Sequence, residues 1–253
     1  MILCVDIGNT KVKCALGTST SFTTASVETA HLVTAQEYVS FLRREFGCAA
    51  IEQIHGTIVA SVVPDKTKIV IDALHCLQAD AVHMCVDLAA SGIDISGYRS
   101  KPGEDRIVCC AAAVSKYKTP LLVVDFGTAT TINLITDGNV FAGGAIMVGV
   151  QTGLNALNLR TAQLPAVSEC DDFGVFSDST ERSLLSGAVF GTAYAVQGFI
   201  KQAENLLGGV VQVVITGGNA STVIKHCDFD FVYEPNLMIA GLFELFNTMD
   251  EKK

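Results

Sequence analysis

The sequence predicts an α/β protein made from one duplicated unit, with two mixed-sheet halves around a cleft. Three observations carry that prediction. Residues 2–17, ILCVDIGNTKVKCALG, and residues 121–136, LLVVDFGTATTINLIT, share an apolar strand that ends in Asp-x-Gly. Their aspartates, Asp6 and Asp125, stand 119 positions apart (125 − 6), close to half of the 253-residue chain. Each copy is then followed by a similar succession of strands and helices, which divides the chain into halves at 1–117 and 118–253.

In the first half, the apolar run at 2–7 reads as a strand buried on both faces. Alternating Val12, Cys14 and Leu16 make its hairpin partner. A Thr- and Ser-rich strand follows at 21–27. Thr34 and Glu37 have capping-box spacing, and Tyr38, Phe41, Leu42 and Phe46 supply a helical face that Gly47 ends. Residues 57–63 form a buried strand, Pro64 suits a first helical position, and that helix runs through Leu77 to a strand at 81–86. Residues 87–104, with Gly92, Gly97, Pro102 and Gly103, are the least regular. From Asp105, the apolar positions Ile107, Val108, Cys110, Ala111 and Val114 predict a helix ending near Tyr117. Asp105 stands at or just before its N-terminus, either as a plain cap or as a base aimed into the cleft, with Arg106 as an anion binder.

In the second half, aligning Asp125 with Asp6 sets Gly127 opposite Gly8, and Thr128 and Ala129 opposite Asn9 and Thr10. It makes Thr131, Asn133 and Ile135 the weaker counterparts of Val12, Cys14 and Leu16. The hydroxyl run from Thr128 to Thr131 reads as a set of phosphate-facing donors. Asp137-Gly138 signals a turn, and Gly143-Gly144 permits a close backbone approach. Leu154, Leu157 and Leu159 begin a helix running toward 161–165, and 166–180 reads as loop. Ser179 or Thr180 caps a long helix from Glu181 to about Leu207. Its Gly187, Gly191, Ala193 and Ala195 predict tight packing on another helix, including one across a dimer interface. A strand at 210–215 turns through Thr216-Gly217-Gly218-Asn219, and a final helix spans about 237–246.

A net charge of −9 and a pI of about 4.9 argue against nucleic-acid binding. An apolar content of 49% suffices for a core. The most apolar region, 140–159, is interrupted by Gly143, Gly144, Gly149, Gln151 and Asn155, so no membrane span is expected. Asp6 so near Met1 reads against a secretory signal, and a cytoplasmic location is expected. The nine cysteines contain no C-x-x-C pair. Cys4, Cys14, Cys109 and Cys110 lie in apolar runs as small hydrophobes, and alternation on a strand accounts for His83 and Cys85. Neither a zinc site nor a disulfide framework is expected.

Two Asp-x-Gly turns facing one cleft bring carboxylates close to a polyphosphate. Carboxylates hold the Mg²⁺ that bridges phosphates, or its waters. Phosphoryl transfer needs positioning, charge neutralisation and one group to deprotonate the nucleophile. The chain has no GxxxxGK[ST] loop, no GxGxxG loop after a strand and no G-x-S-x-G elbow. A nucleotide-binding phosphotransferase or ATPase remains.

The order DIGNTKVKCALG, ASVVP, GEDR, DFGTATT, GGAI, RTAQLP, Ser179-Thr180 and TGG at 216–218 resembles the type III pantothenate kinases over nearly the whole chain. The resemblance implies a duplicated actin-like fold of the acetate-kinase, sugar-kinase, Hsp70 and actin superfamily, and a homodimer. It implies phosphorylation of pantothenate by ATP, the first step of coenzyme A synthesis, with Mg²⁺ and a monovalent cation, K⁺ or NH₄⁺. Carried over by position, Asp6, Gly8, Asn9, Thr10 and Lys13 line the ATP phosphates, with Asp6 near Mg²⁺, and Thr128 contacts ATP. Asp105 is the base, and Gly103, Glu104, Asp105 and Arg106 line the pantothenate pocket with Tyr98 and Thr180. Asp125 holds the monovalent cation.

Several positions depart from the family pattern. Glu104 stands where a small or apolar residue is usual, Val148 replaces a proline, Ser179 an asparagine, and Cys109-Cys110 a small pair. The segment before Gly103 is short. A non-catalytic or weakly active regulator on this fold, or a kinase of another small hydroxyl substrate, are the alternatives.

Overall fold

The computed structural model describes residues 1–77, 81–167 and 172–251. β1 (Ile2–Ile7) is the centre of the first sheet, with every residue buried except Asp6, which is half-buried. It pairs antiparallel with β2 (Lys11–Gly17), which pairs antiparallel with β3 (Phe22–Glu28). α1 (Ala35–Phe46) opens with the expected capping box: the Glu37 N–H donates to Thr34 Oγ1 at 3.2 Å, and Glu37 Oε2 accepts the Thr34 N–H at 2.8 Å. A single turn, α2 (Cys48–Ile51), follows Gly47. β4 (Gly56–Ser61) lies parallel to β1, α3 (Pro64–Leu77) starts at Pro64, and β5 (Val82–Cys85) lies parallel to β4. The sheet order is β3-β2-β1-β4-β5. One face of this sheet packs Leu3, Val5, Ile7, Val12 and Cys14 against Tyr38, Leu42 and Leu74 of the helices. α4 (Glu104–Lys116) follows the irregular stretch.

The second sheet repeats the first. β6 (Leu121–Phe126), β7 (Ala129–Thr136) and β8 (Val140–Val148) form the antiparallel meander. The turn between β7 and β8 puts Gly138 at φ 75° and Asn139 at φ 59°. α5 (Val150–Arg160) and α6 (Thr180–Leu207) pack on this sheet, β9 (Gln212–Thr216) runs parallel to β6, and a single turn, α7 (Ala220–Val223), follows. β10 (Val232–Tyr233) runs parallel to β9, and α8 (Leu237–Asp250) ends the chain's described part. The order β10-β9-β6-β7-β8 is that of the first sheet, element for element.

Contacts divide the chain into one unit of 1–93, 99–115 and 237–253, and another of 94–98 and 116–236. The sequence division at 117/118 differs in three segments, of which 116–117 goes to the second unit. α8 packs on β1 and β4 of the first unit, with Phe243 5.4 Å from Phe22, ring to ring. Residues 94–98 join the second unit, where the Phe141 N–H donates to the Asp94 carbonyl at 2.8 Å.

Other expectations need correcting. α5 begins at Val150, not near Leu154, and stops at Arg160. The small residues of α6 do not share a face: Ala193 is buried in the second core, whereas Gly187 and Gly191 face open space. Ser179 is the cap, its Oγ accepting the Arg182 N–H at 3.3 Å. α6 is long and apolar enough to cross a membrane by length and composition. Its apolar stripe of Leu185, Val189, Val196 and Ile200 is already packed in the core of its own unit. Part of the loop expected at 166–180, including Cys170, lies outside the described residues.

Candidate active site

In the first unit, Asp6 is the penultimate residue of β1, in register with Lys13 of β2 and Ala60 of β4. The strand's apolar residues oblige the carboxylate to emerge at the strand's end, because burying it there without a partner is costly. Gly8, Asn9 and Thr10 form the loop that follows. The Gly8 N–H donates to the Lys11 carbonyl at 3.0 Å, closing a tight turn. Thr29 braces the loop from behind: its hydroxyl donates to the Gly8 carbonyl at 2.7 Å, and its N–H to the Thr10 carbonyl at 2.8 Å. Asn9, Thr10 and Lys13 are exposed. A braced loop with an exposed lysine and hydroxyl beside a carboxylate suits phosphates and a divalent cation.

Asp105 is the second residue of α4, half-buried, and its Oδ1 accepts the Arg106 backbone N–H at 2.9 Å. Arg106 is 7% exposed. A Cβ on Gly103 would collide with Asp105 Oδ1, so the carboxylate can take this position only because residue 103 has no side chain. Glu104 points elsewhere. Its Oε2 accepts the Ser61 N–H and its Oε1 the Lys101 ammonium, each at 3.3 Å.

In the second unit, Asp125 is half-buried at the matching place in β6, in register with Thr131 and Thr216. Gly217 has φ 108°, a conformation costly for other residues. A Cβ there would strike Asp125 Oδ1 and come within 2.5 Å of the Phe126 nitrogen. The loop at Gly127 and Thr128 is tied from three sides. Asn219 Nδ2 donates to the Gly127 carbonyl at 3.1 Å, and the Gly149 N–H and Thr152 hydroxyl donate to the Thr128 carbonyl at 3.1 and 2.7 Å. Gly149 packs so closely that any Cβ would run into both carbonyls. Thr128 itself is exposed.

The hydroxyl run does not act as one set. Thr130 is fully buried, and its Oγ1 has no hydrogen-bond partner among the described residues. Thr131 Oγ1 accepts from Asn133 Nδ2 at 3.3 Å. Tyr98 packs edge-on against Phe141 at 5.0 Å. Phe141 is in register with Ile135 and, through it, with Leu121, at the other end of β6 from Asp125. Thr180 is exposed in the first turn of α6. Asp6 with its loop, and Asp125 with Thr128, therefore form two matched strand-end sites, whereas Tyr98 stands apart from Asp125 within its unit. Asn219, Thr152 and Gly149 were not singled out in the sequence as loop ties. Only the Asn219 turn carried any signal.

The family model described as type III pantothenate kinase matches residues 2–202. A type III pantothenate kinase of Salinispora arenicola is 33% identical over 245 residues, covering 96% of this chain and 97% of the relative. One from Thermus thermophilus is 31% identical over 253 residues, covering 97% and 98%. Among solved structures, a Campylobacter jejuni protein described as a Baf family transcriptional activator superposes with a TM-score of 0.62 at 17% identity, covering 98% of this chain and 99% of that one. A Sinorhizobium meliloti protein described as a 2-dehydro-3-deoxygalactonokinase gives 0.59 at 13% identity, covering 98% and 97%. These structures establish the fold, which is the duplicated actin-like one of the sugar kinases.

Proposed function

The chain belongs to the type III pantothenate kinase family, and we propose that it transfers the γ-phosphoryl group of ATP to the hydroxyl of pantothenate. The products are ADP and 4′-phosphopantothenate, and the step opens coenzyme A synthesis. The observation that carries this reading is Asp105, half-buried in the first turn of α4 with Oδ1 seated against Gly103, in the same unit as Asp6 and its braced loop. Asp105 accepts the proton of the pantothenate hydroxyl as its oxygen bonds to phosphorus. The Gly8-Asn9-Thr10 loop, Lys13 and Thr128 bind the ATP phosphates. Gly103, Arg106, Tyr98 and Thr180 bind pantothenate.

Asp6 holds the Mg²⁺ that accompanies ATP, which neutralises charge on the phosphates when bound. Asp125 holds a monovalent cation, K⁺ or NH₄⁺. The half-buried carboxylate at the end of β6, in an otherwise buried strand, supports that assignment. A homodimer completes the reading. Its support is the α6 face on which Gly187, Gly191 and Gly198 meet nothing within 4 Å and Tyr194 is 51% exposed.

The test is ADP release from MgATP with and without pantothenate, in K⁺ and in Na⁺ buffer, for wild type and Asp105→Asn. Turnover that requires pantothenate and K⁺, and falls at least about a hundredfold in Asp105→Asn, is expected. ATP binding without pantothenate-dependent turnover would overturn the reading. Cation dependence that survives Asp125→Ala would remove the Asp125 assignment alone.

A further inference from the structure

Glu104 is the second of four consecutive residues that the resemblance places in the pantothenate pocket, yet its carboxylate turns back to the sheet. Oε2 accepts the backbone N–H of Ser61, the last residue of β4, at 3.3 Å. The Glu104 side chain is 20% exposed, so this bond is made largely out of water, where an unmet N–H is costly. Ser61 is a fixed point. Its Oγ accepts the Val63 N–H at 3.0 Å and the Thr67 hydroxyl at 2.6 Å, which locks the β4–α3 turn. Ser61 is also in register with Ile7, and the next residue, Val62, donates its N–H to the Ile7 carbonyl at 3.1 Å.

A continuous path therefore runs from Asp6, through Ile7, to Ser61 and Val62, across to Glu104, and along one peptide bond to Asp105. Every link lies in one unit. Lys101 also reaches Glu104 but is 70% exposed, and a surface pair of that kind contributes little.

The geometry points to Glu104 as a positioning residue, whose bond to the Ser61 N–H sets the first turn of α4, and with it Asp105, against the Asp6 strand end. This inference rests on the proposed kinase reading for its kinetic consequence, but not for the bond itself. Misplacing a catalytic group by about 1 Å costs up to about a hundredfold in rate.

Glu104→Leu removes the acceptor, and Glu104→Gln keeps one without the charge. The expected result is a kcat lowered about ten- to a hundredfold in Glu104→Leu, a KM for pantothenate within about threefold of wild type, and recovery of most of the rate in Glu104→Gln. Lys101→Met should match wild type. An unchanged kcat in Glu104→Leu, or Glu104→Gln as slow as Glu104→Leu, overturns the proposal.

Amide hydrogen exchange at Ser61 supplies a readout independent of activity and of the leucine variant's fold. Ser61 should be protected in wild type and in Glu104→Gln. Rapid exchange of Ser61 in the folded wild type also overturns the proposal. A wild type that ignores pantothenate but protects Ser61 would sink the kinase reading and leave the bond standing.

Discussion

Thr130 occupies in the second sheet the place that Val12 holds in the first. Asp6 pairs with Lys13 and Asp125 with Thr131, so the residue before each partner, Val12 or Thr130, faces the same way into its sheet's core. Both are fully buried. Val12 suits that place, whereas Thr130 leaves a hydroxyl without a partner among the described residues. Thr130→Val keeps the shape and removes the orphan, and should stabilise the protein by about 1 kcal/mol. The check is the denaturant midpoint at constant slope. A midpoint that stays or falls would mean that the hydroxyl is satisfied in solution.

The same pair shows how far the sequence could be read. The duplication was legible because β1 and β6 repeat with a constant spacing up to Gly8 and Gly127. Beyond the turn it was not, because the first loop has three residues between its strands and the second has two. Carrying the spacing past that loop matched Val12 to Thr131, one residue off, and on a strand one residue exchanges core for the opposite face. The true counterparts of Cys14 and Leu16 are Ile132 and Leu134, which explains why the second alternation looked weak. α1 and the cap of α6 were legible because their signals are local. The tie from Glu104 to Ser61 spans 43 residues, and nothing within either segment announces it. β10 has two residues and carries no periodicity.

Asn219 is the side chain that joins the turn after β9 to the loop after β6, donating to the Gly127 carbonyl across 92 residues. Asn219→Ala should loosen the loop bearing Thr128 without touching the core. One lost hydrogen bond of about 1 kcal/mol corresponds to a rise of roughly fivefold in the KM for ATP. The pantothenate KM should stay within twofold or so, as measured by varying each substrate in turn. Equal effects on both would indicate a general disturbance and count against a loop-specific role.

Glu234 gathers Lys116 and Tyr117 where the chain enters the second unit. Its Oε1 accepts the Tyr117 hydroxyl at 2.6 Å, and its Oε2 the Lys116 ammonium at 3.1 Å. The Tyr117 bond holds the Glu234 carboxyl below its ordinary value of 4.5; burial opposes it next, and the Lys116 ammonium adds to the lowering. A depressed carboxyl contributes stability that is complete above its unfolded pKa and lost as pH falls through the folded one. The same bond pushes Tyr117 up to about 12, so its neutral form is favoured, and that contribution is lost as pH rises from about 10 to about 12. Glu234→Gln should thus lower stability at neutral pH and flatten its decline below about pH 4.5. Denaturant midpoints taken from about pH 7 down to about pH 3 test this; parallel curves for the two proteins would show that Glu234 is not the titrating group.

Cys85 and Glu104 line one cavity of about 450 Å³ in the first unit, together with Val59, Ser61, Thr67 and Lys68. Cys85 is exposed as a residue, yet its thiol is raised above its ordinary value, by burial first and by the Glu104 charge second. Glu104→Gln removes the second cause and leaves the first. The thiolate fraction near neutral pH should therefore rise, and alkylation of Cys85 by iodoacetamide should quicken, since the thiolate is the nucleophile. Cys48 and Cys76 are exposed and serve as internal references in peptide mapping. Burial persists in the variant, so Cys85 should remain slower than Cys48. If Cys85 reacts equally in both proteins while the references also agree, the Glu104 charge does not act on the thiol, and burial alone raises it. Glu104→Leu should quicken Cys85 to a similar degree if α4 keeps its place, because it removes the same charge. A much larger rise in Glu104→Leu than in Glu104→Gln would instead report that the first turn of α4 has moved away from β4 once its acceptor is gone.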